Sequence, residues 1–176
     1  MMIQVFKISQ FRSALSFAAI LLATVISAHA GEYQVNRVID GDTIEVKKGA
    51  IKLTVRLVGI DAPEVSHKKN EPGQPFSQQS TKYLAKIALN RSADVKSYGA
   101  DRYGRVLGEV FVDGNNVNFE MVKAGLAEVY RGTPASGQDI GPYWKAEEEA
   151  RKAGKGMWVQ GNKYVSPREW RRTHPN

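Results

Sequence analysis

Val38-Ile39-Asp40-Gly41-Asp42-Thr43-Ile44 opens, and Arg56-Leu57-Val58-Gly59-Ile60-Asp61-Ala62-Pro63-Glu64 closes, the segment with the clearest structural signal in the chain. Inside it Ile44 and Val46 alternate with Thr43 and Glu45. Ile51, Leu53, Val55 and Leu57 alternate with Lys52, Thr54 and Arg56. A period of two is that of a strand with one buried face. Asp40-Gly41 reads as a tight type I′ turn, whose two central residues both need positive φ, and Lys48-Gly49 reads as a second turn. With Tyr33–Ile39 as a first strand the result is a three-strand meander, ended by Pro63, which has no N–H to donate to a ladder. Arg56 lies on the face opposite Leu53, Val55 and Leu57, and Asp61 has the opposite parity to Arg56. A bend near Gly59 is therefore needed to bring these two charges together.

Upstream, residues 1–30 have the organisation of an export signal: Lys7 and Arg12, then an apolar run from Ala14 to Ile26, then small residues at Ala28-His29-Ala30. The run is short for a membrane span, which takes about 20 residues. Cleavage is expected near Ala30-Gly31, with release into the periplasm or outside the cell and no membrane attachment afterwards; the other reading is an uncleaved anchor. Residues 31–176 then form a single domain. The whole chain carries +7, and removing Lys7 and Arg12, with no acid among residues 1–30, leaves +5. A basic exported protein fits a polyanionic partner or simply a solvated basic surface. There are no cysteines, so neither a disulfide framework nor a thiolate metal site exists. Only His67 and His174 lie beyond residue 30, too few for an imidazole-based metal centre.

Downstream, residues 65–75 have loop composition. Ser77–Leu89 reads as a helix, with Tyr83, Leu84, Ile87 and Ala88 at helical spacing. Ala93–Tyr98 and Val106–Val112 read as strands separated by a turn at Gly99-Ala100-Asp101. Val117–Ala124 is a short helix stopped by Gly125, Leu126–Tyr130 a short extended piece, and residues 131–141 a loop. Pro142–Lys152 is a last helix, with Pro in its first turn. From about residue 160 the tail is basic, and Ser166-Pro167-Arg168-Glu169-Trp170-Arg171-Arg172 receives no element. Five short strands, with one helix between the third and fourth, predict an α+β, mainly β fold: a five-stranded OB-fold Greek-key barrel with three helices.

Asp42 and Asp61, at the ends of separate strands, form with a carbonyl and waters an all-oxygen set suited to Ca2+ or Mg2+. Each is equally readable as a turn residue bonding its own backbone, and for Asp40, beside a glycine, that is the better reading. Glu64, just past a strand end, is a candidate general base on water, or a surface glutamate. Arg56 amid apolar neighbours needs an anionic partner, either a barrel carboxylate or a phosphate. Arg105, in Asp101-Arg102-Tyr103-Gly104-Arg105, is positioned to form a second guanidinium clamp on a phosphate. Tyr103 and, less strongly, Tyr130 are candidates to stack on bases, although core packing is the commoner role of a tyrosine.

Three ordered motifs carry a resemblance: Asp40-Gly41-Asp42-Thr43, Arg56 through Glu64, and Asp101 through Arg105. In order and spacing they resemble the staphylococcal nuclease family, and the likeness runs through Val117-Asn118 and Val122-Lys123-Ala124-Gly125-Leu126-Ala127 to about Trp158. The resemblance implies a Ca2+-dependent phosphodiesterase acting on DNA and RNA, leaving 3′-phosphate ends. It makes Asp42 and Asp61 the side-chain Ca2+ ligands, with the Ala62 carbonyl as a third. It assigns Glu64 as the base, and Arg56 and Arg105 to the phosphate. Lys68 and Lys69 resemble the basic loop beside the family's site, without matching it closely. Ala62 departs from the family's threonine, which keeps the carbonyl and loses a hydroxyl. No stable protein partner and a monomer are expected. Two other classes are a non-catalytic nucleic-acid- or protein-binding module on the same fold and an envelope protein bound to an anionic surface; all five charged positions being present favours the enzyme.

Overall fold

The computed structural model describes residues 32–66, 68 and 70–175. The expected export signal and its cleavage point, together with His67 and Lys69, lie outside the described residues. The meander forms as the alternation implies. Strands β1 (Tyr33–Val38), β2 (Thr43–Lys48) and β3 (Ile51–Leu57) pair antiparallel, with Thr43 opposite Arg56 and Lys48 opposite Ile51. Val35, Ile44, Val46, Val55 and Leu57 are fully buried. A two-residue strand β4 (Ile60–Asp61) follows the bend. Strand β5 (Ser92–Ala100) adds to β1, and β6 (Val106–Val112) pairs antiparallel with β5. Parallel pairing of β6 with β3, from Val55 opposite Val106 to Leu57 opposite Gly108, closes the five long strands into a barrel, the OB-fold arrangement.

Helix α1 (Ser77–Ala88) lays Leu84 and Ala88 against the barrel, and α2 (Val117–Lys123) contributes Val117, Met121 and Val122. Between β6 and α2 lies β7 (Asn115–Asn116), and the Asn116 side chain caps α2 by accepting from Phe119 N at 3.0 Å. Strand β8 (Glu128–Val129) pairs with β4, placing Asp61 opposite Glu128. Helix α3 (Gly141–Lys152) packs Tyr143 and Ala146 into the same core.

Three expectations are corrected. The helices number five rather than three among the described residues: a 3-10 segment spans Gly156–Lys163, and α4 (Pro167–Thr173) occupies the basic tail. The sequence does carry the start signal of α4. Ser166 Oγ accepts from Glu169 N at 3.1 Å, with Pro167 at the first helical position, which is the Ser-x-x-Glu spacing of a helix N-terminus. Second, Asp40-Gly41 is not a type I′ turn, since neither residue has positive φ. Instead Asp40 Oδ1 accepts from Asp42 N at 3.0 Å, a side-chain turn that widens the loop to residues 39–42. Third, β5 runs through Ala100, and the reversal falls at Asp101–Arg105, whose Asp101 Oδ1 accepts from Tyr103 N (2.8 Å) and Arg105 N (3.1 Å). No helix among the described residues is long and apolar enough to cross a membrane.

Candidate active site

The site sits where the loop 39–42, the end of β3 and β4 meet. Leu57 N donates to Asp42 O at 2.8 Å, so the loop is fastened to the end of β3. The loop passes beneath α1 and Ala62, and a Cβ on Gly41 would collide with Ser80 Oγ and the Ala62 methyl. Beyond β3 the chain bends at Gly59, whose φ is +80°. The bend wraps residues 60–61 back over Arg56: Nη1 donates to Leu57 O (3.0 Å) and Ile60 O (3.1 Å), and Nη2 lies 3.0 Å from both Asp61 Oδ1 and Asp42 Oδ2. Two carboxylates, one from the 39–42 loop and one from β4, thus converge on one guanidinium nitrogen. Of the two partners open to Arg56 from sequence, the described structure displays the carboxylates.

Both carboxylates are almost wholly buried, Asp42 at 6% and Asp61 at 2% residue exposure. Burial pushes the Asp42 carboxyl up to about 8, against the pull of Arg56, with repulsion from Asp40 and Asp61 adding to the rise. Ala62 N donates to Asp42 Oδ2 at 2.7 Å and Thr43 Oγ1 to Asp42 Oδ1 at 3.2 Å. Two guanidiniums meet this buried pair: Arg56 touches both aspartates, and Arg171 touches Asp61. The donors are all oxygen, which fits a hard divalent cation. Among the described residues no three His, Asp or Glu side chains converge, so such a cation would draw on the two aspartates, main-chain oxygen and water.

Glu64 lies three residues beyond Asp61, held through its backbone: its N–H donates to Gln74 Oε1 (3.0 Å) and its carbonyl accepts from Gln74 N (2.8 Å). The Glu64 carboxylate receives Arg171 Nη1, and the same guanidinium straddles Asp61, with Nη1 to Oδ1 at 3.0 Å and Nη2 to Oδ2 at 2.8 Å. Arg105 is drawn onto Asp101, with Nε 2.8 Å from Oδ2. It immediately precedes β6, and the register Arg56 opposite Leu107 puts residue 105 on the Arg56 face by alternation. Tyr103 stands 68% exposed beside Arg102 and Arg105, and Tyr130 is 43% exposed with its N–H on Gly59 O at 2.9 Å. Neither tyrosine is a core residue, against the commoner expectation. Lys68 is exposed and pairs with Glu71 at 3.6 Å.

Three residues were invisible as site residues from spacing alone. Asn118, fully buried on α2, donates to Val58 O (2.9 Å) and Gly108 O (3.0 Å) and accepts from Val110 N (3.1 Å), pinning the Gly59 bend to β6. Gln74 holds the Glu64 backbone. Arg171 arrives from the tail. For Gln74 and Arg171 no local signal exists, because their partners lie far away in sequence; Asn118 had only its place in the Val117-Asn118 motif.

Residues 54–160 match the family model described as staphylococcal nuclease homologue. An uncharacterized endonuclease of Haemophilus influenzae is 37% identical over 165 residues, covering 92% of this chain and 86% of its own. A micrococcal nuclease of Shigella flexneri is 33% identical over 174 residues, covering 93% of each chain. An uncharacterized endonuclease of Escherichia coli is 39% identical over 139 residues, covering 78% of this chain and 83% of its own. With the closed barrel, the paired aspartates and these matches in agreement, the chain belongs to the staphylococcal nuclease family and is a hydrolase of the nuclease class.

Proposed function

We propose that this nuclease is exported, depends on Ca2+, hydrolyses DNA and RNA without preference for the sugar, and leaves 3′-phosphate ends. The observation that carries the reading is the convergence of Asp42 and Asp61 on Arg56, with Glu64 just beyond. Asp42, Asp61 and the Ala62 carbonyl are the groups that would hold the cation. Bound there, it supplies positive charge beside the phosphate and lowers the cost of the charge that builds up during displacement.

Glu64 orients a water and takes its proton as the oxygen attacks phosphorus in line. The bond to the 5′-oxygen breaks, and the phosphate stays on the 3′ side. Gln74 holds the Glu64 backbone, and the carboxylate must leave Arg171 to act on the water. Arg56 and Arg105 donate to the phosphate oxygens, most strongly in the transition state. Arg105 must then exchange Asp101 for the phosphate. Tyr103 and Tyr130, both exposed, are available to stack on unpaired bases, and Lys68 and Lys69 to meet the backbone charge. After signal cleavage near Ala30-Gly31 the enzyme acts as a monomer in the periplasm or outside the cell, without a stable protein partner.

The test is a cleavage assay on the purified chain with single-stranded DNA and RNA, comparing Ca2+, Mg2+ and EDTA and identifying the product ends. The expected result is cleavage with Ca2+, none with EDTA, and 3′-phosphate termini. Full activity in EDTA, or 5′-phosphate products, would count against the reading.

A further inference from the structure

The tail helix α4 does not merely lie near the site; it inserts a charge into it. Arg171 contacts both oxygens of Asp61 and one of Glu64. These are the aspartate proposed to hold the cation and the carboxylate proposed as the base. Its side chain is 42% exposed, whereas Asp61 is 3% exposed, so the guanidinium covers the aspartate from the solvent side. The contact is also supported from elsewhere. Gln74, which grips the Glu64 backbone, donates through Nε2 to Val165 O at 2.7 Å. Tyr164 OH donates to Glu128 Oε2 at 2.6 Å, and Glu128 sits across the β4–β8 pair from Asp61. The Tyr164 ring lies 4.5 Å from that of Trp158. Ser166 caps the helix. Four features other than Arg171 itself therefore deliver α4 to the mouth of the barrel.

We propose that Arg171 is a built-in counter-cation that holds the site closed: a divalent ion binds Asp61, and a water reaches Glu64, only when this guanidinium withdraws. The inference rests on the cation reading above. Its physical basis is that Arg171 across both oxygens of Asp61, with Arg56 already on Oδ1, occupies three of that carboxylate's roughly four lone-pair sites and repels an incoming cation, so the two cations compete for Asp61. Arg171 offsets the negative charge of Asp61 and Glu64, and its partial exposure gives it water to withdraw into. The cost of withdrawal appears as weakened apparent affinity for the ion.

The experiment is calorimetric titration of Ca2+ alone, without nucleic acid, into the full chain freed of metal, into Arg171→Gln and into Arg172→Gln. Arg172 is the next residue on α4, carries the same charge and pairs with Glu169 rather than with the site. The expected result is Ca2+ binding about fivefold or more tighter in Arg171→Gln and unchanged in Arg172→Gln. In the parent, amide exchange across residues 164–173 should quicken on Ca2+ addition. Equal or weaker binding by Arg171→Gln overturns the proposal and leaves the cation reading standing. Equal tightening in both variants overturns it in favour of bulk charge. Absence of Ca2+ binding by all three removes the cation reading, and the inference with it.

Discussion

Asn118 shows how much a single buried amide can hold. Its three hydrogen bonds satisfy two carbonyls and one N–H around the Gly59 bend, and removing them leaves buried groups unpaired, at about 1–3 kcal/mol each in unfavourable cases. Asn118→Ala is expected to lower stability by about 3 kcal/mol in urea unfolding, and to reduce cleavage further than the unfolded fraction explains, because Asp61 rides on the bend. Stability within about 1 kcal/mol of the parent would mean that the bend holds itself. Glu64 offers a contrasting case, since its ties to Gln74 run through the backbone and survive a side-chain change, and its carboxylate's pairing with the partly exposed Arg171 contributes little to stability. Glu64→Gln should therefore leave the melting temperature almost unchanged while cutting the rate by about 10²–10⁴-fold, the range for a lost general base. A variant that cleaves at the parental rate would sink the role assigned to Glu64.

The elements around β6 are bound by one buried carboxylate. Glu109 Oε1 accepts from Tyr143 OH on α3 (2.7 Å) and Asn116 Nδ2 at β7 (3.2 Å), and Oε2 accepts from Tyr98 OH on β5 (2.6 Å). Burial alone would raise Glu109, but the bonds from Tyr98, Tyr143 and Asn116 outweigh it and hold the carboxyl below its ordinary value of 4.5. A depressed carboxyl contributes stability that is present above that value and lost as pH falls through the folded one. The parent should lose melting temperature as pH falls below about 4.5. Glu109→Gln should be less stable at neutral pH and show a shallower acid decline. An unchanged acid profile in the variant would mean that Glu109 is not a source of the acid sensitivity. The long strands were legible because period-two alternation is a local property of Ile44–Val46 and Ile51–Leu57. Strands β4 and β7 were not, because two residues have no period and these strands exist through their pairing partners, whereas β8 falls inside the extended piece read at Leu126–Tyr130. The type I′ expectation failed because Asp40 bonds Asp42 N through its side chain, an alternative that the Asp-Gly dipeptide equally permits.

For the molecule as a whole, the buried carboxylates make metal and stability one question. An ion that binds the folded chain alone should stabilise it by about 2.7 kcal/mol at a hundredfold excess over its dissociation constant. Adding Ca2+ should thus raise the melting temperature by several degrees, and Asp61→Asn should abolish the increment. An equal rise in Asp61→Asn would place the ion elsewhere. Most of the rim was readable in advance: Asp42 and Arg56 lie in the meander and Asp61 and Glu64 in the few residues after it, where strand parity and turn residues are short-range and written in the order of the chain. The barrel class followed from the same periodicity. What no run of residues contains is which distant segments meet. Closure of β3 on β6, the approach of Gln74 to Glu64, and the descent of Arg171 from residues beyond the barrel onto Asp61 all depend on packing between pieces separated by tens of residues. There the geometry is set by the shared core, by buried hydrogen bonds and by the need to neutralise an anionic mouth, and a local pattern carries none of these.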